Sequence, residues 1–506
     1  MTRSITSAFA SIFAGRLLVI LSLAVSTPIL VWLLGASAYG QYATVLAVFN
    51  LAMILVSSGI NSGARKFLAE ERDRDHWRDH VFGFYFRLAL GLSLVAAAGF
   101  FLATQFGLVA ATFGQEMVPY FYLLVVMAVV SQFTNYLRRS LMGLKLESIA
   151  EPLRVANTVT FAVSAITLAW LGWGVTGALV GKMLASGVVI VAATYFLSKN
   201  LSLSYVTKPT PDWFPRRQLF TFNYKSVVYV FLLTSLYHVD VVMLGMSEVV
   251  TSGQVGYYKA ALVLAEFLWF VPRSIQSTMI QSTSNLWAEG NTERITDIAT
   301  KVTRYGLLLT TLLAIGIGAL ATDFVPLYYP DPFIESVTPL LLLLPGAVGF
   351  AVARPIFSIS HAKGDLNVVI GATALSAGIN LALNALLIPR FGIAGAAIAT
   401  SIGYGSLPLF HIVGARHLGF RPFADARIGR IAATALLSVG PIVGLAYLTA
   451  PLVSLVVVPP TGFVVYAGLA LATGAIDGEE VADLLSALPN PVSSPMSAVL
   501  ARLGVV

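Results

Sequence analysis

The chain has 506 residues, of which 57% are hydrophobic and only 11% are charged, and its mean hydropathy is +0.82. Soluble domains carry about 25% charged residues, so this composition excludes a water-soluble globular protein and predicts an integral membrane protein. The net charge of +7 is no argument for a nucleic-acid partner, because the position of each charge matters more in a membrane protein, and the lack of cysteine excludes disulfides and thiolate metal sites.

Windows of about 20 mostly apolar residues, the length that crosses a bilayer, recur along the chain. The first window is too long for a signal peptide and lacks a small-residue cleavage site, so we interpret it as a spanning helix. None of the windows alternates like a strand of a membrane β-barrel, so the predicted fold class is an all-α polytopic membrane protein. Fourteen spans are predicted, at 8–34, 38–60, 81–105, 117–137, 149–171, 174–197, 222–247, 254–283, 302–321, 335–358, 366–388, 392–415, 428–449 and 452–474.

Lysine and arginine are concentrated in alternate loops. With the N-terminus inside, the inner loops carry many of them, including Arg65, Arg139 and Lys145, while the outer loops carry almost none except Arg390. This asymmetry predicts a multi-pass protein of the cytoplasmic membrane with both termini in the cytoplasm.

Two pairs of segments indicate an internal repeat. "YGQYATVLAVFNLAMILV" (39–56) aligns with "VGYYKAALVLAEFLWFVP" (255–272), and "GVTGALVG" (174–181) aligns with "GIAGAAIA" (392–399). The shifts are 216 and 218 residues, and two matches at nearly one spacing favour a duplication over chance similarity between glycine-rich helices.

The repeat predicts two six-helix lobes in the same orientation, with a central cavity between them, followed by two additional helices. The predicted organisation is an N-lobe at 1–197 with helices 1–6, a cytoplasmic linker at 198–221, a C-lobe at 222–417 with helices 7–12, helices 13–14 within 418–475, and a cytoplasmic tail at 476–506.

Two charged residues lie at similar depth in the seventh and eighth spans. An isolated ion inside a bilayer costs several kcal/mol, so Asp240 and Lys259 are predicted to form an ion pair. The pair has two readings: a structural link between neighbouring helices, or a carboxylate whose protonation and pairing change with ion coupling or substrate. His238, two residues before Asp240, is a polar helix contact or a proton relay.

The eighth span carries a charged stripe, defined as Lys259, Glu266 and Arg273 at intervals of seven residues. This spacing places all three on one helix face, which is too costly to expose to lipid, so the stripe is predicted to line an aqueous path. The repeat places Asn50 opposite Glu266 as a neutral counterpart.

Arg16 and Lys182 also lie inside predicted spans. Together with Lys259 and Arg273 they predict a cationic cavity that suits a phosphate, which arginine binds in a bidentate way. The sequence has no cluster with metal-ligand spacing, glycine-rich phosphate loop or hydrolase motif, so we expect no cofactor and no enzyme activity.

Four segments carry a family resemblance: "LGASAYGQYATVLAVFNLAMILVSSGINSGARKFLAE", "HVDVVMLG", "GQVGYYKAALVLAEFLWFVP" and "NLALNALLIPRFGIAGAAIATSIGYG". Over about 8–420 the chain resembles the polysaccharide and oligosaccharide exporters (Wzx-like flippases) of the multidrug/oligosaccharidyl-lipid/polysaccharide exporter superfamily. The motifs are diffuse, but they occur in order.

The resemblance implies a flippase that moves a polyisoprenoid-(di)phosphate-linked oligosaccharide from the inner to the outer leaflet by alternating access, for polysaccharide or glycoprotein glycan assembly. Arg16 stands where flippase relatives also carry arginine, and Asp240 matches a carboxylate position of the exporters. The implied partners are the lipid-linked oligosaccharide, membrane lipid, H+ or Na+ as the coupling ion, and a glycan polymerase or glycosyltransferase.

Two alternatives remain open at this point. A drug or cation antiporter of the same superfamily favours an anionic cavity, which Asp240 and Glu266 support and the cationic residues oppose. A membrane enzyme such as a glycan polymerase needs large outer loops or acidic metal-binding motifs, and this sequence has neither.

Overall fold

The structure is a computed structural model, and it describes residues 5–222 and 224–481, with side chains from residue 18 onward except at 277, 278 and 281. Across the described residues there is no β-strand, and eleven continuous helical segments are long and apolar enough to cross a membrane. The protein is therefore an all-α, multi-pass membrane protein, which confirms the predicted fold class.

Three of the eleven segments have more than twice the length that one crossing needs. The first has 52 residues from Leu18 to Ala69 alone, and a straight helix of that length would measure about 78 Å against a hydrocarbon core of about 30 Å. Each is interrupted by glycine in a conformation with positive φ, at Gly35, at Gly172 with Gly174, and at Gly392. Division at these glycines turns the eleven segments into fourteen helices, the number that the sequence predicts.

The helices are numbered in chain order. Their bounds are α1 (5–34), α2 (36–69), α3 (Trp77–Gln105), α4 (Val118–Gly143), α5 (Glu147–Leu168), α6 (Gly174–Ser198), α7 (Tyr224–Gly245), α8 (252–288), α9 (Thr292–Tyr328), α10 (Val337–Ala362), α11 (366–391), α12 (393–418), α13 (Ile428–Leu448) and α14 (Pro451–Ala472).

Several helices continue beyond their predicted ends. Helix α2 ends at residue 69 rather than 60, and α4 ends at Gly143 rather than 137. The predicted ends follow the loss of apolar residues, whereas backbone hydrogen bonding continues through polar turns. As a consequence Arg65 and Arg139, which the sequence places in loops, lie on helices.

The backbone supports the internal repeat. Gly174 has φ 51° and ψ −131°, and Gly392, 218 residues later, has φ 54° and ψ −131°. Three residues further on in each half, Gly177 and Gly395 pack so tightly that a Cβ atom would overlap the preceding helix. The same turn therefore recurs at the predicted spacing, which is expected of a duplicated helical unit.

The first of two compact units comprises Met1–Ala260, Tyr328–Glu335 and Thr373–Thr400. Within it, α2 crosses the start of α8 at two glycines that are equivalent in the repeat. A Cβ atom on Gly40 would overlap the carbonyl oxygen of Ser252 and lie 2.8 Å from the backbone nitrogen of Gly256. A Cβ atom on Gly256 would overlap the carbonyl oxygen of Ala36, so the two backbones are in direct contact.

This crossing gives a stability prediction. We expect Gly40→Ala and Gly256→Ala each to destabilise the protein by at least about 2 kcal/mol, because the added methyl group meets backbone that has to shift. Thermal unfolding of the purified protein measures the effect. Gly91→Ala is the matched control, because nothing lies within 4 Å of the added atom there. Equal unfolding temperatures for the Gly40 and Gly91 variants would contradict the close crossing.

The segment between α6 and α7 packs against α3 in the first unit. Arg87 donates hydrogen bonds from its Nη1 atom to the backbone oxygens of Tyr205, Val206 and Lys208, at 3.0, 3.0 and 2.8 Å. Tyr85 donates to the carbonyl oxygen of Leu219 at 3.0 Å. The predicted linker therefore has a fixed conformation, which includes a short helix at Arg216–Thr221.

The second compact unit comprises Ala261–Leu327, Ser336–Ala372 and Ser401–Val506. A buried guanidinium ties the described end of its chain to α9. Arg304 contacts Asp425 at 3.0 Å and also forms an ion pair with Glu480. Most of the predicted tail at 476–506 lies outside the described residues.

Candidate functional site

The candidate site is a cavity of about 1090 Å³ in the first unit, lined by residues of α1, α2, α4, α5, α6 and α7. Four of its lining residues are cationic, namely Arg65, Lys66, Arg139 and Lys182. None of its described lining residues is acidic. The cavity therefore attracts anions, because cations in a partly enclosed site of low dielectric act strongly on a bound charge.

The rest of the lining is rich in amides and hydroxyls. Asn50, Asn61, Asn135 and Asn157 line the cavity together with several serines and threonines. The Oδ1 atom of Asn61 and the Nδ2 atom of Asn157 are buried and lack a hydrogen-bond partner within the described residues. Buried polar atoms usually have partners, so these two are available to a polar ligand.

Two of the cationic residues lie close together near the ends of their helices. Ser57 on α2 donates to Gln132 on α4 at 2.6 Å, which aligns the two helices. Arg65 follows Ser57 by eight residues and Arg139 follows Gln132 by seven. Since α2 and α4 run in the same direction, both arginines lie about 11 Å beyond this contact.

Each of these two guanidiniums lies within electrostatic range of the other. Neither forms an ion pair with a carboxylate in the described part of the chain. Glu151 acts on Arg139 electrostatically but is bound to Arg154 at 2.9 Å. We name Arg65 and Arg139 the arginine pair, and two guanidiniums within electrostatic range of each other, neither in an ion pair among the described residues, favour an anion such as phosphate.

The other two lysines have different surroundings. Lys66 is 3.9 Å from Glu70, so its charge is partly neutralised. The ammonium of Lys182 lies 5.8 Å from the ring centroid of Phe161, and no carboxylate among the described residues pairs with it. Lys182 is the one predicted phosphate-binding residue that the structure brings to this cavity among those whose side chains are described.

Two predicted polar residues also meet at the cavity. The Nδ2 atom of Asn50 is 3.4 Å from the Nε2 atom of His238, and both residues line the cavity. His238 is thus a polar contact between α2 and α7 within the first unit.

The predicted ion pair between Asp240 and Lys259 is wrong. Asp240 is completely buried and accepts hydrogen bonds from Tyr258, from Thr400 at 3.1 Å and from the backbone nitrogen of Val241 at 2.7 Å. Lys259 acts on it only as a charge at longer range. The carboxylate is stabilised by neutral donors, because hydroxyls from α8 and α12 reach it from within the same unit.

Further polar atoms extend this cluster along α11. Asn380 donates from Nδ2 to Thr400 at 3.3 Å, while its Oδ1 atom is buried without a partner. Asn384 lies one turn further on, fully buried, and neither of its amide atoms has a partner in the described structure. We name Asp240, Tyr258, Thr400, Asn380 and Asn384 the carboxylate cluster, since it combines one carboxylate with unused amide oxygens.

The remaining predicted site residues lie elsewhere. Glu266 and Arg273 belong to the second unit and form an ion pair at 3.7 Å, with side chains 26% and 50% exposed. A tighter turn at Phe267–Trp269 lies between them. Lys259 belongs to the first unit and is not among the lining residues of the cavity. The side chain of Arg16 lies outside the described residues.

A second cavity, of about 460 Å³, lies within the second unit and is lined by apolar residues of α8, α9, α10, α13 and α14. Its walls include Leu312, Leu320, Phe324, Leu455 and Phe463. A cavity lined almost entirely by apolar atoms suits a hydrocarbon chain rather than a solvated group.

Sequence reasoning missed the arginine pair and most of the carboxylate cluster. The sequence places Arg65 and Arg139 in loops because the apolar residues end before them, although both lie in the last turns of helices. Asn380 and Asn384 repeat at an interval of four in "NLALN", and this polar face in an apolar span was the available signal.

A comparison with protein families finds that the family described as "Polysaccharide biosynthesis protein" matches residues 29–338. Among curated proteins, the chain is 23% identical over 384 residues to "Probable low-salt glycan biosynthesis flippase Agl15" of Haloferax volcanii, covering 75% of this chain and 76% of that protein. It is also 28% identical over 156 residues to "Uncharacterized membrane protein MJ1068" of Methanocaldococcus jannaschii. That match covers 31% of each chain, less than two thirds of the relative's length.

Among solved structures, the fold is similar to "Lipid II flippase MurJ, inward closed conformation", with a TM-score of 0.71, 16% identity, and coverage of 93% of this chain and 98% of that one. It is also similar to an inward-facing multidrug resistance MATE family transporter of the MOP superfamily, with a TM-score of 0.64, 17% identity, and coverage of 81% and 95%. At these identities the likeness establishes the fold alone.

Proposed function

The chain belongs to the polysaccharide biosynthesis protein family, and from this premise we propose that it is a flippase for a lipid-linked oligosaccharide. The substrate is a glycan joined through phosphate or diphosphate to a polyisoprenoid, and it moves from the inner to the outer leaflet by alternating access. The similarity to the probable glycan flippase Agl15 over three quarters of the chain supports this substrate class.

The charge of the large cavity carries the proposal. Four cationic residues and no acidic residue among the described lining favour an anionic headgroup over a cationic drug. The arginine pair is the proposed phosphate site, because guanidinium groups bind phosphate oxygens in a bidentate way. The amides and hydroxyls that line the same cavity match the hydroxyl groups of a sugar.

The second unit contains an apolar cavity of its own. Its hydrocarbon walls fit an isoprenoid chain, which has no hydrogen-bonding groups to satisfy.

The carboxylate cluster is the proposed site of ion coupling. A buried carboxylate with neutral donors and unused amide oxygens supplies oxygen ligands for a small cation, or holds a proton when the cation leaves. One carboxylate among neutral oxygen ligands supplies a single negative charge, which suits a monovalent ion, Na+ or H+.

The placement in the cell follows from the loop charges. We propose the cytoplasmic membrane with both termini inside, two lobes of six helices separated at 198–221, and α13 and α14 as additions. The arginine pair then lies toward the cytoplasm, where the substrate is made. The proposed partners are the glycosyltransferase or polymerase that supplies or consumes the glycan, and no catalytic step is assigned to this chain. The roles predicted for Arg16, Lys259 and Arg273 in phosphate binding stay predictions.

The test of the substrate class compares two ligands of opposite charge. The purified protein in lipid nanodiscs is titrated with a polyisoprenyl diphosphate disaccharide and with a lipophilic quaternary ammonium. We expect saturable binding of the diphosphate compound that weakens as salt rises, because screening reduces the attraction. Saturable binding of the ammonium compound alone would instead favour the drug antiporter, the alternative that the fold shared with a MATE transporter keeps open.

A further inference from the structure

The cationic residues of the large cavity lie at two levels along the helices. Thr134 on α4 donates to the backbone oxygen of Ser186 on α6 at 3.4 Å, which aligns these two helices. Arg139 follows Thr134 by five residues, whereas Lys182 precedes Ser186 by four. Since α4 and α6 run in the same direction, the two backbone positions are separated by about 13 Å along the helix axis.

The side chains do not close this gap. In a helix, side chains lean toward the N-terminus, and on two helices that run the same way they lean in the same direction. A diphosphate consists of two phosphoryl groups that share one oxygen. Its length is less than the separation of about 13 Å between the backbone positions of Arg139 and Lys182. Lys182 and the arginine pair are therefore placed to contact different parts of one bound substrate.

The surroundings of Lys182 differ from those of the arginine pair. Its ammonium lies near the ring of Phe161, and Asn157, one turn before Phe161 on α5, has an unpartnered Nδ2 atom. All three residues line the cavity. A ring face, an amide donor and an ammonium together suit the apolar face and the carboxylate of one sugar ring.

The repeat shows how the position of Lys182 differs between the two halves. The alignment of 174–181 with 392–399 places Lys182 opposite Thr400, the residue that donates to Asp240 in the carboxylate cluster. One half thus has a neutral hydroxyl beside a carboxylate, while the other has an ammonium that no carboxylate in the described residues neutralises. A cation within a membrane-spanning segment is costly unless a ligand supplies the opposite charge.

We propose that the oligosaccharide carries an acidic sugar, and that Lys182, Phe161 and Asn157 form the subsite for its carboxylate. This inference rests on the proposed flippase function and specifies its substrate class. A diphosphate between lipid and sugar keeps one negative charge on each phosphoryl group, which the arginine pair matches. Lys182 then binds a third negative charge, which is carried by the glycan.

The test uses three ligands with the same polyisoprenyl chain: the diphosphate alone, the diphosphate bearing a disaccharide that ends in glucose, and the same disaccharide ending in glucuronate. Binding to the protein in nanodiscs is measured for wild type, Lys182→Met and Arg65→Gln. Lys199→Met is the matched control, since this exposed lysine of the same segment bonds to Tyr195 at 2.7 Å outside the cavity.

We expect the glucuronate compound to bind at least tenfold more tightly than the glucose compound to wild type and to Lys199→Met. Lys182→Met should lose this preference, because its affinity for the glucuronate compound falls much more than its affinity for the glucose compound. Arg65→Gln should weaken all three ligands. Equal affinity for glucose and glucuronate, or a Lys182→Met variant that weakens all three ligands alike, would overturn the acidic-sugar subsite while leaving the flippase intact. Failure of all three ligands to bind wild type would overturn the flippase function itself.

Discussion

Replacement of the arginine pair by glutamine, Arg65→Gln with Arg139→Gln, should reduce flipping at least about a hundredfold. Each guanidinium is proposed to make charge-assisted hydrogen bonds to phosphate, worth about 1.5–3 kcal/mol apiece, and about 1.4 kcal/mol is a factor of ten. The loss of two such contacts removes most of the headgroup binding. The measurement is the amount of lipid-linked oligosaccharide retained on the cytoplasmic leaflet of cells that depend on this protein.

The control for the double variant is Arg78→Gln. Arg78 is an exposed arginine that pairs with Glu71 at 3.2 Å and does not line the cavity. This control tests whether the loss of any positive charge near this end of the helices is enough to reduce flipping. Normal export in the double variant, with normal expression and insertion, would refute the assignment of the arginine pair to phosphate.

Replacement of Asp240 by asparagine should abolish ion coupling while the protein still folds. The two side chains have nearly the same size, but the amide carries no negative charge and presents a donor to Tyr258 and Thr400, which themselves donate to this position. Coupling between two sites is typically worth about 1–3 kcal/mol, so flipping driven by a cation gradient should fall about 5–150-fold. Reconstituted vesicles with an imposed Na+ or pH gradient provide the measurement.

A binding readout separates coupling from simple structural support. A cation that binds only the folded protein raises its unfolding temperature, so wild type should be stabilised by Na+ and the Asp240→Asn variant should not. Thr400→Val, which removes one hydroxyl ligand and keeps the carboxylate, should need a higher Na+ concentration for the same shift. If all three proteins respond identically to Na+ and to pH, Asp240 is a structural residue.

The number of helices and the positions of their breaks were predictable from sequence. Apolar windows predict the bilayer crossings, and glycine is the residue that most readily adopts positive φ at a break. Gly35 and Gly392 both stand where the predicted spans separate. The repeat was also detectable, since Gly174 and Gly392 are required for the same backbone turn in each half.

The composition of the site was only partly predictable. Lys182 was recognised because a lysine in an apolar span is unusual, whereas Arg65 and Arg139 were hidden by the polar turns at the ends of their helices. The sequence predicts Lys259 as the partner of Asp240, because opposite charges at similar depth in neighbouring spans are expected to pair. This prediction is wrong. The hydroxyls of Tyr258 and Thr400 reach the carboxylate through packing that no local pattern encodes.

The most direct measurement of the central claim is flipping by the purified protein in liposomes. A fluorescent polyisoprenyl diphosphate disaccharide is incorporated into both leaflets, and a membrane-impermeant quencher then reports how much remains protected. We predict that wild type makes nearly all of the fluorophore accessible, and that the Arg65→Gln, Arg139→Gln double variant leaves about half protected, as in protein-free liposomes. Equal protection with wild type and without protein would contradict the account.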